Sequence, residues 1–296
     1  MEAPDSNPLS SGRAFADLSS WRKIAVSGTE ATPWLNGLVS ADVGGLLPGK
    51  ARRSLLLSPT GRVRAEFTVA ARDEGLLLIQ DPIQHRSIGE LLAPYVLSAD
   101  VGLEDRTTDI ALFAFPGRSD APAPGASSSI SIPSCLGAGV DLLASAERRD
   151  QLMRTFGSSF DLATEEEVEG WRVSSGLPRF GVDALEDDLP QEAGLDGAVA
   201  FDKGCYLGQE AVAKVRNLGH PRRLVVRLAS RERVRAGEAV LADGQQAGVV
   251  TSALADAGGS VLLARIVWDA RDLPLRTASG GALDRAARPG QPSRPV

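Results

Sequence analysis

Apolar residues recur in two different patterns along this chain of 296 residues. In the first part, short runs typical of strands alternate with stretches of helical spacing. Beyond Pro221 only strand-like runs remain, separated by Gly, Asp and Ala turns, which is typical of a small all-β barrel. The sequence therefore predicts an α+β region with antiparallel sheets, followed by a C-terminal β-barrel. The strands predicted in the two parts are 24–26, 54–57, 63–70, 75–80 and 110–115, then 224–228, 239–242, 246–252 and 261–267.

Helical spacing and capping residues predict three helices before the last third of the chain. The first follows Thr29 as its N-cap, and the second spans 84–92. The third begins at Thr164, which can form a capping box with Glu167, and it ends by Gly176. Its acidic first turn is explained by the helix dipole rather than by a metal site.

Segments of biased composition mark the predicted boundaries. Residues 1–17 are polar and contain Pro and Ser, so we expect a flexible N-terminal arm there. The stretch 116–129, rich in Pro, Ala, Ser and Gly, predicts a flexible loop, and 284–296 predicts a disordered tail. Between these segments we expect two interleaved subdomains over 18–221 and the barrel over 222–283.

Net charge and cysteine content exclude several classes of protein. The net charge of −6 disfavours a protein that binds nucleic acid directly. The two cysteines are far apart in sequence, so we expect no disulfide framework, no metal site and no stable iron–sulfur cluster. No signal peptide is visible, and no apolar run is long enough to span a membrane. We therefore expect a soluble, cytoplasmic protein. We also expect it to be a monomer.

The stretch 201–210 (FDKGCYLGQE) carries the strongest candidate chemistry. It runs into a fourth predicted helix, with Asp202 as the expected N-cap and Leu207 at the start of its apolar stripe. Cys205 would then lie in or near the first turn, where the helix dipole and the ammonium of Lys203 favour the reactive thiolate. The alternative is a small buried apolar cysteine, with glycines that only allow the turn to form.

Within this stretch, Lys-Gly-Cys-Tyr-x-Gly-Gln-Glu at 203–210 resembles the signature of the YgfZ-type folate-binding proteins, which are relatives of the glycine-cleavage aminomethyltransferase, or T-protein. The resemblance is closest over 172–223. The sequence GVVTS at 248–252 is also similar to a strand that recurs in the family's C-terminal barrel. The resemblance implies a T-protein-like ring of three subdomains with a central pocket for tetrahydrofolate or another reduced folate.

The resemblance also implies which side chains meet the folate. Trp21 matches a tryptophan that lines the family's pocket, and its indole offers a flat face for a pterin ring. A core tryptophan at a domain seam is the equal alternative. A second pocket tryptophan aligns near Val168, and Trp171, one helical turn away, is the candidate substitute.

Polar residues of the signature and several arginines complete the expected site. Tyr206, Gln209 and Glu210 are assigned to it, where they would also shape the hydrogen bonding of the thiol. The acidic tail of folate needs cations near the rim of the pocket. The candidates are Arg22, Arg172, Arg216, Arg222 and Arg223.

Two differences from the T-protein bear on activity. Ser174 stands where that enzyme carries a glutamate that hydrogen-bonds the pterin. Of a pair of adjacent aspartates aligned with 64–67, only Glu66 keeps a carboxylate. We therefore expect an accessory protein rather than a conventional enzyme. It would bind tetrahydrofolate and use Cys205, tuned by Lys203, to assist assembly or repair of iron–sulfur clusters in client enzymes, including radical enzymes that modify tRNA.

Two other functions stay open at this point. One is an aminomethyltransferase-like, folate-dependent transferase or demethylase that acts on an unidentified amine or thiol, with Glu66 as its catalytic carboxylate. The other is a non-catalytic structural partner, in which the signature loop is an interaction surface.

Overall fold

The computed structural model describes residues 7–97, 99–122, 129–256 and 258–286, without the side chains of Leu218 and Asp256. The predicted features at 1–6, at 123–128 and at 287–296 lie outside these residues. No helix in the described ranges is long and apolar enough to cross a membrane.

Strands dominate the described part of the chain. In chain order they are β1 Ala14–Asp17, β2 Arg22–Ser27, β3 Ala51–Leu57, β4 Val63–Arg72, β5 Gly75–Gln80, β6 Gly102–Asp105, β7 Ile110–Phe115, β8 Ile130–Pro133, β9 Val140–Ser145, β10 Asp161–Leu162, β11 Arg223–Ser230, β12 Ala239–Ala242, β13 Gln245–Asp256, β14 Gly259–Val267, β15 Leu275–Thr277 and β16 Ala282–Arg285. The helices are α1 Ala31–Asn36, α2 Ile88–Leu92, α3 Arg149–Gly157, α4 Glu165–Ser174 and α5 Gln209–Leu218. Short 3₁₀ turns lie at Ala93–Tyr95, Ala146–Arg148, Asp196–Ala198 and Trp268–Ala270.

The strands form two five-stranded sheets and a closed six-stranded barrel. The first sheet has the order β10-β1-β7-β9-β8, and the second has the order β3-β4-β5-β2-β6. All neighbouring strands in these sheets are antiparallel except β1 and β10, which pair in parallel. The predicted α+β class with antiparallel sheets and a C-terminal barrel is confirmed.

The two sheets pack face to face, and alternation along their strands decides which side chains meet. Leu77 and Ile79 of β5 lie in the core between the sheets, together with Ala14 of β1. Leu76 and Leu78 face the opposite side of the second sheet, toward the core under α1 and α2. This period of two is what a sheet buried on both faces requires.

Residues 7–17 belong to the core rather than to a flexible arm, so the prediction for 1–17 is wrong from residue 7 onward. Leu9 and Phe15 are fully buried. Strand β1 lies inside the first sheet, between β7 and β10. Phe15 stacks against Phe115 on the far side of this sheet, with ring centroids 5.8 Å apart, and Phe156 of α3 covers them. The sequence did not indicate β1, because a strand of four residues with two alanines shows no clear apolar pattern.

The second predicted helix begins four residues later than expected, at Ile88 instead of residue 84. Ser87 accepts a hydrogen bond from the backbone of Gly89, and Glu90 completes a capping box. The capping residue sets the helix start, so residue 84 stays in a loop. This leaves the side chain of Gln84 free to reach β4.

The barrel contains two strands more than predicted. Strands β11 to β14 match the four predicted runs, and β15 and β16 close the barrel through pairing of β16 with β11. Leu228, Val240 and Leu262 fill its interior. The barrel thus extends to Arg285, beyond the predicted boundary at residue 283.

Candidate functional site

A cavity of about 290 Å³ opens between the two sheets and α4. This volume is near the lower end of the range for small-molecule sites. The apolar part of its wall includes Leu18, Phe67 and Ile79, and the polar part includes Thr68 and Gln84. The cavity is therefore partly apolar, with a few polar groups that can orient a ligand.

Trp21 and Trp171 occupy different positions relative to this cavity. Trp21 lines it and is partly buried, in the turn before β2. Trp171 is 7% exposed and packs in the core between the sheets, where its Nε1 donates a hydrogen bond to the Leu136 carbonyl at 3.0 Å. Val168 lines the cavity from the same helix. Trp171 therefore lies behind the wall, which corrects its prediction as a folate contact.

Glu66 lines the cavity from β4, where its position is fixed from two sides. Its Oε1 accepts a hydrogen bond from Nε of Arg53 at 2.6 Å. The Gln84 amide clamps the Glu66 backbone, because its Nε2 donates to the carbonyl at 2.6 Å and its Oε1 accepts from the N–H at 3.1 Å. The carboxylate is thus held at the wall with little freedom to move.

Arg172 lines the cavity, but its guanidinium is fully engaged. Nε and Nη2 donate to Glu169, Nη1 donates to the Leu177 carbonyl and to Asp183, and Nη2 also donates to Ser252 of the barrel. A guanidinium has five N–H donors, so none remains for a ligand. The prediction that Arg172 binds the folate tail is corrected on this ground.

Asp183 joins the barrel to this wall of the cavity. It is fully buried and accepts hydrogen bonds from Arg172, from the backbone of Arg179 and from the hydroxyls of Thr251 and Ser252. The last two residues end the GVVTS stretch of β13. The barrel contributes no residue to the cavity wall within the described ranges, and it reaches the site only through such contacts.

The other arginines named from the sequence lie outside the wall. Arg22 donates to the Gln84 carbonyl at 2.6 Å and so lies close to the cavity without lining it. The guanidinium of Arg216 stacks on the Phe201 ring at 3.9 Å. The lining arginines that sequence reasoning missed are Arg53 and Arg179. Both are held in the wall by ion pairs, with Glu66 and with Asp81 respectively.

The cysteine that lines the cavity is Cys135, not Cys205. Its backbone N–H donates to Asp141 at 2.8 Å, and Asp141 is fully buried. Burial and the negative charge of Asp141 raise the pKa of the Cys135 thiol well above its usual range, which keeps the sulfur protonated. Sequence reasoning gave Cys135 no role, because only the packing of the two sheets brings it to the cavity.

Cys205 is exposed on the loop that precedes α5 and does not line the cavity. The helix begins at Gln209, with Gly208 as its N-cap, so the predicted N-cap Asp202 is wrong. Gly208 has φ of +80°, and a Cβ there would lie 2.3 Å from the Ser58 carbonyl. The loop therefore passes close to the β3–β4 turn before the helix starts. Cys205 therefore precedes the helix and lies outside its first turn.

Lys203 anchors this loop. Its Nζ donates to the carbonyls of Asn36, Val39 and Ala41 at 2.7, 2.8 and 2.7 Å, and it lies 3.1 Å from the Asn36 side-chain oxygen. Burial lowers the pKa of Lys203 to about 8, against the opposing effect of the Asp42 charge. The ammonium thus ties the signature loop to the end of α1.

The remaining signature residues also lie outside the cavity wall. Tyr206 is 6% exposed in a core shared with β3, and its ring lies 5.1 Å from the Lys203 ammonium. Gln209 and Glu210 form the first turn of α5. None of the three lines the cavity, which corrects their assignment as folate contacts there. Tyr206 packs in the core, Gln209 is partly buried and Glu210 is exposed.

The wall offers groups suited to both parts of a folate. Trp21 offers an aromatic surface, while Glu66, Thr68 and Gln84 offer hydrogen-bonding groups suited to the donors and acceptors of a pterin. Among the lining arginines, Arg172 has no N–H left for the acidic tail, whereas Arg53 and Arg179 each keep Nη1 free of hydrogen bonds to any described residue, beside their paired carboxylates. No group of side chains suited to a metal ion occurs in the described part of the chain.

Comparison with known proteins finds similarity to the kinds of protein that the signature indicates. Residues 7–119 match the model described as the GCVT N-terminal domain. A putative chloroplastic transferase of Arabidopsis thaliana is 25% identical over 84% of this chain and 63% of its own length. A protein of Yersinia enterocolitica named tRNA-modifying protein YgfZ is 23% identical over 72% of this chain and 69% of its own. A mitochondrial iron–sulfur cluster assembly factor homologue of Pyricularia oryzae is 27% identical over 72% and 56%.

The fold has a solved counterpart. The crystal structure of glycine cleavage system aminomethyltransferase T from Bartonella henselae covers 96% of this chain and 88% of its own, with a TM-score of 0.79 and 19% sequence identity. The T-protein fold is therefore confirmed. Together with the sequence matches, it confirms the resemblance to the YgfZ-type relatives of this enzyme.

Proposed function

We propose that this YgfZ-type relative of the T-protein is a tetrahydrofolate-binding accessory protein that assists assembly or repair of iron–sulfur clusters in client enzymes. The observation that carries the proposal is that Cys205 is exposed on a loop anchored by the four polar contacts of Lys203, while Trp21 and Glu66 line a separate cavity. In this proposal the folate site and the working thiol would occupy different places. A client can reach the thiol without entering the cavity.

The cavity residues would hold the folate ring system. Trp21 would stack on the ring, and the fixed carboxylate of Glu66 would accept hydrogen bonds from ring N–H groups. The Gln84 clamp would keep that carboxylate in place. A bound reduced folate supplies one-carbon chemistry. Leu18, Phe67 and Ile79 would exclude water from one side of the ring.

The cluster would be cargo for Cys205 rather than a resident group. A cysteine binds a metal as the thiolate, and an iron–sulfur cluster needs about four such ligands. The chain has two cysteines, and Cys135 lies in the cavity wall as a protonated thiol. Cys205 would therefore supply one transient ligand, and the client would supply the others.

The names of two relatives support this reading. The protein of Pyricularia oryzae is named an iron–sulfur cluster assembly factor homologue, and that of Yersinia enterocolitica is named tRNA-modifying. Radical enzymes that modify tRNA are accordingly among the proposed clients, and the link to tRNA would be indirect. A cytoplasmic location and a monomeric state remain part of the proposal.

Replacement of Cys205 tests the role of the thiol. We expect Cys205→Ala to lower the activity of iron–sulfur enzymes in cells to the level found when this protein is absent. Its abundance should stay unchanged, because an exposed side chain contributes little to stability. The measurement is client activity together with an immunoblot.

Gly204→Ala provides the matched control one residue away. A Cβ at Gly204 would meet no atom within 4 Å, so cells with this variant should keep wild-type client activity. Wild-type client activity in Cys205→Ala cells would contradict the thiol role.

A folate-dependent one-carbon transferase acting on an amine or thiol is the second candidate. It is favoured by Glu66, which lies in the cavity wall where a catalytic carboxylate would need to be. The Arabidopsis relative is also named a putative transferase. Turnover of an amine with tetrahydrofolate that Glu66→Gln abolishes and Cys205→Ala leaves intact would favour this candidate over the first.

A further inference from the structure

A cluster of exposed cations follows Cys205 along the chain. Four basic residues on α5 and on the stretch that leads into β11 form no ion pair with any residue in the described ranges. They are Lys214, Arg216, Arg222 and Arg223, and all four are exposed. Together with Lys203, they give residues 201–223 five positive charges against two negative ones, in a chain whose net charge is −6. The region around Cys205 therefore has the opposite sign to the molecule as a whole.

Arg216 brings this positive charge to the signature loop itself. Its guanidinium lies 3.9 Å from the centroid of the Phe201 ring, and Phe201 begins the stretch that carries Cys205. A guanidinium that stacks on an aromatic ring keeps its N–H groups at its edge, where they can still donate to a carboxylate. Arg216 is thus held against the loop and can also bind an acidic group of a partner.

The buried acid beside this stretch is already neutralised. Glu192 accepts a hydrogen bond from the backbone N–H of Arg222 at 3.2 Å. It is 6% exposed, and its carboxylate is paired with Arg62 at 3.1 Å. Glu192 therefore does not cancel the charge of the exposed cations.

The barrel reduces the positive charge only in part. The Trp268 N–H donates to the Arg222 carbonyl at 2.9 Å, and this contact brings residues 268–272 beside the cations. These five residues carry two acids and one arginine, which lowers the surplus of positive charges from three to two. The arginine, Arg271, lies over the Trp268 ring and is paired with Asp272. The surface stays positive.

We propose that the exposed cations of α5 and of the stretch leading into β11 form, together with Cys205, a docking surface for an acidic face of a partner protein. The proposal rests on the thiol role proposed above and adds the chemistry of the client surface. The ten residues of α5 span about 15 Å, so thiol and cations fit within one interface of ordinary size, about 800 Å² on each partner. Carboxylates around the client's own cysteines would pair with the arginines and bring those cysteines to Cys205.

A protein fits this surface better than a nucleic acid does. A nucleic acid is held through many phosphates along its strand, which requires an extended basic surface, and the net charge of this chain is negative. Single strands also need exposed aromatic rings on which bases can stack, whereas Phe201 is covered by Arg216. A few cations beside one exposed thiol instead suit the steering of a charged partner toward a single atom.

The test measures the reaction of Cys205 with two short peptides of equal length, one rich in glutamate and the other in lysine. Each carries one cysteine as a mixed disulfide with pyridine-2-thiol. The Cys205 thiolate attacks the peptide sulfur, a disulfide forms between protein and peptide, and pyridine-2-thione leaves with the electron pair of the broken bond. Its absorbance gives the rate, and Cys205→Ala gives the background from Cys135.

We expect the acidic peptide to react about ten-fold faster than the basic one at about 0.01 M ionic strength, because the local charge steers its approach. The ratio should fall toward one in about 1 M salt, where charges are screened within a few ångströms.

Two double variants remove the same net charge from different places. The first is Lys214→Gln with Arg216→Gln. The second is Arg233→Gln with Arg235→Gln, at exposed positions that follow the opposite end of β11 from Arg223. The first should reduce the ratio to about three-fold or less, and the second should leave it unchanged.

A conservative variant separates charge from packing. Arg216→Lys keeps the positive charge and removes the planar group that stacks on Phe201. It should keep the wild-type ratio. A ratio that falls as far in Arg216→Lys as in the first double variant would show that the stacked geometry, not the charge, sets the reactivity, and would overturn the proposal.

The remaining outcomes separate this proposal from the one it rests on. Equal rates of the two peptides with wild type, or equal effects of the two double variants, would overturn the acidic partner. Labelled transfer RNA should not bind at about 0.15 M salt. Binding that Lys214→Gln with Arg216→Gln abolishes would assign the surface to a nucleic acid and overturn the proposal. None of these results touches the thiol role itself, which is decided by client activity in Cys205→Ala cells.

Discussion

At the scale of single residues, the ionisation of Asp141, beside Cys135 of the cavity wall, makes the stability of the fold depend on pH. Burial raises its pKa from 3.8 to about 6, although Ser134 and the Cys135 backbone donate hydrogen bonds to it. The folded protein therefore binds this proton more tightly than the unfolded chain. The stability that the protonated Asp141 contributes is fully present below about pH 4 and is lost as the pH rises to about 6. A shift of about two units corresponds to about 3 kcal/mol.

Asp141→Asn should remove this dependence on pH. We expect the free energy of unfolding of the variant, relative to wild type, to increase by about 3 kcal/mol between pH 4 and pH 6 and then to stay level. The reason is that the amide is neutral throughout, while the wild-type carboxyl ionises in a buried place. Urea denaturation at a series of pH values measures it. A difference that stays constant across this range would show that Asp141 ionises as an exposed acid does.

The two cysteines show what the sequence could and could not predict about single residues. The signature identified Cys205 as the candidate functional thiol, and Cys205 is exposed in the structure. The role of Lys203 as an anchor of the loop could not be predicted, because its ammonium donates to backbone carbonyls that lie far away in sequence. Cys135 carried no local signal, because its place at the cavity depends on the packing of two sheets that are distant in sequence.

At the scale of elements, the signature loop is held by one side chain. Lys203 supplies hydrogen bonds to three carbonyls at and just beyond the end of α1, two of them on the buried residues Val39 and Ala41. Lys203→Met would keep the apolar stem and leave these carbonyls without a donor. We expect a loss of about 2–4 kcal/mol in the free energy of unfolding, from hydrogen bonds to a charged group and from carbonyls left unpaired.

Hydrogen exchange should show which segments of the chain lose stability in Lys203→Met. The amides of residues 200–208 should exchange faster in Lys203→Met, while those of the barrel should not change. Lys214→Met is the matched control, because Lys214 is exposed on α5 and forms no ion pair within the described ranges. It should alter the free energy of unfolding by less than about 0.5 kcal/mol. Equal effects of the two variants would show that Lys203 does not anchor the loop.

Elements with a regular pattern were predicted more accurately than the points where the chain turns. The strands β5, β7 and β12 begin and end at the predicted residues. The capping box at Thr164 also fixed the start of α4. The start of α5 was missed because Gly208 adopts a positive φ to pass the β3–β4 turn. The Ser58 carbonyl, which is distant in sequence, leaves no room for a Cβ at this position.

At the scale of the whole molecule, the cavity exists because three parts of the chain meet. The two sheets form its sides and α4 closes it, while the barrel holds α4 through Arg172 and Asp183. The family resemblance predicted a pocket at the centre of such a fold. It could not predict which side chains face inward, because Arg53, Cys135 and Arg179 come from segments with no shared sequence pattern.

Isothermal titration calorimetry of tetrahydrofolate with wild type, Trp21→Ala and Trp34→Ala tests whether this cavity binds a reduced folate against Trp21. Trp34 lies on α1 outside the cavity wall, and its Nε1 donates to the Tyr95 carbonyl. Wild type and Trp34→Ala should bind with the same affinity, and Trp21→Ala should bind about ten-fold more weakly because the aromatic contact is lost. Failure of wild type to bind tetrahydrofolate, or binding by Trp21→Ala as tight as that of wild type, would show that the cavity does not hold a folate against this indole.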